Sequence, residues 1–216
     1  MKSSVVRAVR AWAVWVPVVG VFTFVALYFY AASLYPGGTR ATPKSIGYSH
    51  LSNYWCDLLR QVTQSGAVNP GRPYAVLATF VLPLSLIPLW VLMPTLFREK
   101  TRYHQWVRGL GSTAMLAATA VFSRWHDLAV NLTVSLGLAA VVLTLLALDR
   151  REHRRIVGVA VVASLLGITN YAMWQSQLLL WAMPAVQKAA FLFFFAWFFL
   201  CCGAIRREFA VDRGRG

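Results

Sequence analysis

Long apolar runs alternate with short polar segments along the whole chain. The runs cover about 11–34, 74–96, 106–122, 128–148, 156–174 and 186–205. A bilayer core takes about 20 apolar residues per helix, with a range of about 17–25. The pattern therefore predicts an all-α polytopic membrane protein, a single bundle of six transmembrane helices. Only the segment between the first two runs is long enough to hold another element. There Leu51, Tyr54, Trp55, Leu58, Leu59 and Val62 recur at helical spacing, and Ser49 stands where an N-cap belongs. This predicts an amphipathic interfacial helix over about 50–63 in the first extracytoplasmic loop, too short to span and lying apolar face down.

Composition supports the membrane reading. Of 216 residues, 58% are hydrophobic and 13% charged, against about 25% charged in soluble domains. The net charge of +14 raises the question of nucleic acid. The basic residues flank the apolar runs instead of forming a stripe interleaved with aromatics, so no nucleic-acid partner is expected. The first run holds 24 residues, beyond the roughly 7–15 of a signal-peptide core, and reads as an uncleaved first helix.

Charge also predicts orientation. Lys2, Arg7, Arg10, Arg98, Lys100, Arg102, Arg108, Arg150, Arg151, Arg154, Arg155, Arg206, Arg207, Arg213 and Arg215 fall on one side of the six-run layout. The other side holds Arg40, Lys44, Arg60, Arg72, Arg124 and Lys188. Positive segments resist translocation, so the reading is a multi-pass cell-membrane protein with both termini cytoplasmic.

Two helices stand out. The third carries Gly109, Gly111, Ser112, Ala114, Ala117, Ala118 and Thr119. Small residues let helices approach closely in lipid, which marks it as the bundle centre or as an interface for a homo- or hetero-oligomer. The sixth carries phenylalanines all round, from Phe191 to Phe199, and is expected to face lipid over much of its girdle. Cys56 lies outside while Cys201 and Cys202 end the sixth helix, so no disulfide framework follows.

Candidate chemistry comes from the distribution of acids. Five of the seven acidic residues sit among the cytoplasmic basic runs, whereas Asp57 and Asp127 lie on the outer side, each near a histidine. Polar groups near membrane depth are costly and often mark a functional site. His50, Asn53, Asp57, His126, Asp127 and Asn131 are therefore the residues expected to line an outward-facing polar cleft. Its ligand would be a membrane lipid, a small amphiphile or a membrane partner. An alternative is a lipid hydrolase holding zinc through His50, Asp57, His126 and Asp127, although no paired-histidine motif on one helix accompanies them. No Gly-x-Ser-x-Gly elbow is present. A channel or transporter is the third reading, with Pro83 and Pro88 placed to kink the second helix, but no internal repeat supports it.

The segment Gly47-Tyr48-Ser49-His50-Leu51-Ser52-Asn53-Tyr54-Trp55-Cys56-Asp57-Leu58, between the first two helices, together with the six-helix layout and the later His126-Asp127, resembles bacterial multi-pass proteins of domain of unknown function 998. Leu59 stands where that family is expected to carry glycine. The resemblance implies a membrane protein and no particular activity, cofactor or catalytic residue.

Overall fold

The computed structural model describes residues 12–98, 103–150 and 152–214, with side chains described up to residue 210. Of the basic residues that set the predicted orientation, Lys2, Arg7, Arg10, Lys100, Arg102, Arg151 and Arg215 lie outside the described residues. Among the described residues six helices carry the fold: α1 (Trp15–Ser33), α2 (Arg72–Leu92), α3 (Tyr103–Ala118), α4 (His126–Ala147), α5 (Arg154–Ser176) and α6 (Met183–Gly214). A 3-10 turn, Met93–Leu96, prolongs α2. Among the described residues there is no strand, only isolated bridges between Gly37 and Ile46 and between Val62 and Val68.

Five of the helices, all but α3, are long and apolar enough to cross a membrane. The 16 residues of α3 make it the shortest of the six. Neighbours in sequence pair closely as α1–α2, α3–α4 and α5–α6, while α4 and α5 meet only thinly.

The centre of the bundle is α2, not α3. Half of the α2 span is buried, and it packs on α1, α3 and α6. Small residues explain how the neighbours come so close. A Cβ on Gly20 of α1 would lie 1.8 Å from the Ser85 hydroxyl of α2. A Cβ on Gly111 of α3 would lie 2.2 Å from the Trp90 ring. The small-residue face of α3 is thus partly spent inside the chain, with Ala114 fully buried beside Gly111.

Helix α6 also departs from the expectation of an all-round lipid face. Trp197, Cys201 and Ile205 are completely buried, and Phe195 and Phe198 nearly so. These positions recur at three or four residues and form one stripe against α1 and α2. Leu192 and Phe193 are on the exposed side. An aromatic-rich helix has enough bulk to fill a core and cover its outside, so composition alone does not separate the two faces. Trp90 and Trp197 meet with ring centroids 5.8 Å apart. Neither indole N–H has a protein partner, so packing holds these rings.

The connections sort to two ends. The 34–71 loop meets both the start of α4, through Cys56 and His126, and the turn before α6, through Tyr54 Oη donating to the Leu180 carbonyl at 3.0 Å. At the other end, Arg98 beyond α2 pairs with Asp149 beyond α4 at 2.9 Å. The start of α1 meets the far part of α6 there, with the Arg206 guanidinium 5.1 Å over the Trp15 ring.

Candidate functional site

The loop from 34 to 71 forms a cap, and its secondary structure overturns the predicted amphipathic helix over 50–63. A single 3-10 turn, Trp55–Leu59, is present instead. Tyr54 and Arg60 on either side are extended, with ψ of 153 and 140 degrees. Leu51 and Val62, expected on the apolar face, are exposed, while Leu58 and Leu59 are buried. The cause is local competition for backbone donors. The Ser49 N–H donates to Asn53 Oδ1 at 2.9 Å, and the Tyr54 N–H donates to Asp57 Oδ2 at 3.0 Å. Asparagine and aspartate offer the backbone this alternative to a helix.

Asn53 lies at the centre of the cap, fully buried. Its Nδ2 donates to the Gly38 carbonyl at 2.8 Å and to Asp57 Oδ2 at 3.0 Å. Gly38 has a φ of 89 degrees, and a Cβ there would lie 2.3 Å from the Ser65 nitrogen, so this acceptor is presented by a residue that has to be glycine. Asn69, also buried, closes the cap's exit: its Nδ2 donates to the Leu58 and Arg60 carbonyls, and its Oδ1 accepts from the Gly71 N–H.

The cap is tied to the helices by side chains from α6 and the turn before it. The Trp55 N–H donates to Gln187 Oε1 at 3.0 Å. The Lys188 ammonium donates to the Asn53 carbonyl at 2.6 Å and to the Pro184 carbonyl at 3.3 Å, and lies 5.8 Å from the centre of the Tyr48 ring. Beneath them, the Trp55 ring packs against Tyr28 and Phe191 at 4.8 and 4.4 Å between centroids. Tyr48 Oη donates to the Tyr54 carbonyl. Burial, helped by the negative charge of Asp57, raises the Tyr48 phenol well above its usual value, so it stays a neutral donor.

The six predicted site residues fall into separate places. Asn53 and Asp57 do meet, as the cap's internal pin. His50 is exposed and lies tilted against Phe29 and edge-on to Tyr48, at 5.2 and 5.1 Å between ring centroids. His126 bonds through Nδ1 to the Val121 carbonyl at 2.5 Å and meets the Cys56 side chain of the cap. Asp127 is exposed. Asn131 accepts from Tyr171 Oη at 2.8 Å, and Gln175 donates to the same hydroxyl, which links α4 to α5.

His50, Asp57, His126 and Asp127 therefore do not assemble as a zinc site. Among the described residues no group of three or more His, Cys, Asp or Glu is placed to hold a metal ion. The adjacent His126 and Asp127 leave the chain in different directions, and the lost loop helix removes the face that was to bring His50 over Asp57.

Sequence reading passed over Cys56, Gln187, Lys188 and Asn69 as parts of this assembly. Proximity in sequence gave no signal, because Lys188 lies 135 residues from Asn53. What the arrangement offers chemically is an ammonium and an imidazole meeting the same stretch, Asn53–Asp57, with a thiol against the imidazole. With Nδ1 engaged by the Val121 carbonyl, Nε2 is the ring nitrogen left for a second partner. No protein-family model, curated protein or solved structure matches the chain.

Proposed function

We propose that this chain is an integral membrane protein with six spanning helices and cytoplasmic termini, whose extracytoplasmic cap binds the anionic headgroup of a lipid or small amphiphile. Parity supports the count. The start of α1 lies beside the end of α6, which an even number of crossings requires, so α3 crosses despite its length. The charge pattern supports the orientation, and the likeness of the Gly47–Leu58 segment to domain of unknown function 998 fits the same class of protein.

Lys188 is the observation that carries the ligand reading. An ammonium has three N–H donors, and two of these go to the Asn53 and Pro184 carbonyls. The nearby Asp57 carboxylate is taken by the Asn53 amide and the Tyr54 N–H. The third donor is left for a ligand oxygen, such as one of a headgroup phosphate. Lys188→Met in detergent-purified protein is expected to weaken binding of a short-chain anionic phospholipid about tenfold, the loss of roughly one charge-assisted hydrogen bond. Isothermal titration against wild type measures it, with limited proteolysis of the cap run alongside. Unchanged affinity with an intact cap refutes the site.

The Cys56–His126 contact favours a second reading, acyl transfer from an ester-linked amphiphile: the Cys56 sulfur forms a thioester bond to the acyl carbon as the ester C–O bond breaks, and His126 takes the thiol proton and passes it to the leaving alcohol. Cys56 in intact cells is then expected to react with a membrane-impermeant maleimide, about tenfold more slowly in His126→Phe. Cys201 and Cys202 are buried and are expected not to react. Label confined to inverted vesicles would reverse the orientation, and equal rates in the two proteins would remove the thiol reading.

A further inference from the structure

A groove of about 300 Å³ runs between α1 and α6 at the end of the bundle opposite the cap. Trp15, Val18 and Phe22 line it from α1, and Phe199, Gly203 and Arg206 from α6. Two contacts mark its ends. Phe22 stacks on Phe199 with centroids 5.7 Å apart, and Arg206 lies over Trp15. Seven residues separate the two contacts on each helix, about 10 Å at the α-helical rise. Phe22 is 65% and Trp15 43% exposed, so the groove opens sideways. A Cβ on Gly203 would meet nothing within 4 Å, so the glycine leaves the groove's α6 wall hollow.

The two ends differ in chemistry. The deep end is hydrocarbon and aromatic, and the mouth carries one cation. Among the described residues the Arg206 guanidinium has no carboxylate partner. It lies over an indole, 5.1 Å from the ring centre, and among the described residues no hydrogen bond engages its N–H groups, which can turn to an anion. A planar guanidinium grips a phosphate through two parallel hydrogen bonds. In the sequence, Lys2, Arg7 and Arg10 precede the α1 end of the mouth and Arg207 follows Arg206. That excess of positive charge favours an anionic occupant and disfavours the chain's own basic N-terminal segment.

We infer that the α1–α6 groove is a binding site for one anionic glycerophospholipid of the leaflet on the side of the chain termini, with an acyl chain along Val18 and Phe22 and its phosphate on Arg206. This rests on the membrane placement proposed above and is independent of the headgroup site at the cap.

Native mass spectrometry of the full chain in detergent, titrated with dioleoyl phosphatidylglycerol or dioleoyl phosphatidylcholine, tests it. In a Lys188→Met background, which silences the anion site proposed at the cap and in which the other variants are also made, the chain is expected to hold one phosphatidylglycerol about tenfold more tightly than phosphatidylcholine. Arg206→Gln, a surface change that leaves the fold intact, is expected to abolish that preference. Gly203→Phe, which fills the hollow, is expected to weaken both lipids about tenfold. Gly109→Phe also enters open space, on α3, and is expected to bind as the background does. Lys188→Met is expected to leave the groove lipid in place, which separates this site from the cap. Unweakened binding by Gly203→Phe, or a preference that survives Arg206→Gln, overturns the inference. So does a gain in occupancy on deleting residues 1–11, which would identify that segment as the occupant.

Discussion

Asn53→Ala is expected to loosen the cap internally while leaving the helices packed. The side chain is fully buried and makes three hydrogen bonds, one of them to the Asp57 carboxylate. Alanine leaves the Ser49 N–H without its acceptor and Asp57 with only the Tyr54 N–H. The Gly38 carbonyl keeps the longer bond from Tyr35 Oη at 3.3 Å. A buried polar group stripped of its partner costs about 1–3 kcal/mol, and more where a charge is involved. With Asp57 buried and the Ser49 N–H part-buried, the two amount to about 3 kcal/mol, roughly two orders of magnitude in a local opening equilibrium. Hydrogen exchange reads this at the Gly38 and Asn69 amides, which donate within the cap to Ser45 and Gln61. Their exchange is expected to accelerate by roughly that factor, with Leu86 and Leu89 in α2 unchanged. Asp57→Asn is expected to be much milder, because a neutral amide oxygen still accepts from Tyr54. Unaltered cap exchange in Asn53→Ala would show that the pin is not what holds the loop together.

The same residue shows where sequence reading reached its limit. Asn53 and Asp57 were legible as partners because four residues separate them, but legible for a geometry that does not occur. Helical spacing and a local side-chain-to-backbone network both bring such positions together, and the apolar spacing from Leu51 to Val62 tipped the reading to a helix. What decided otherwise was distant. Gly38, Gln187 and Lys188 supply partners that only the folded chain brings to the cap. The transmembrane runs had no such rival, since an apolar stretch of spanning length can satisfy its backbone only as a helix. The buried stripe of α6 fell between these cases. Its helix was evident, but which of its many aromatics face inward depends on α1 and α2.

Gly111→Leu is expected to be among the most damaging single changes within the helices, and its cause is steric. A Cβ at this position would lie 2.2 Å from Trp90 Cδ2 and 2.5 Å from both Cε3 and Cγ. These atoms lie at the root of the indole, so a rotamer change cannot simply swing a flexible tip aside. Trp90 is 2% exposed and backs onto the fully buried Trp197, so the ring has no space to retreat into. Overpacking of a dense core costs about 1–3 kcal/mol and occasionally more. A branched side chain driven into an immobile ring belongs at or above the top of that range. Gly109, two residues earlier, has nothing within 4 Å of its Cβ, and Gly109→Leu is expected to stay within about 0.5 kcal/mol of wild type. Unfolding in a detergent–denaturant series compares the two. A double variant, Gly111→Ala with Trp90→Leu, removes the ring that alanine strikes and is expected to be more stable than Gly111→Ala alone, a coupling that a double-mutant cycle isolates. If Gly109→Leu proved the harmful change and Gly111→Leu the silent one, the packed face of α3 would be the opposite one, and α2 could not be the helix it packs on.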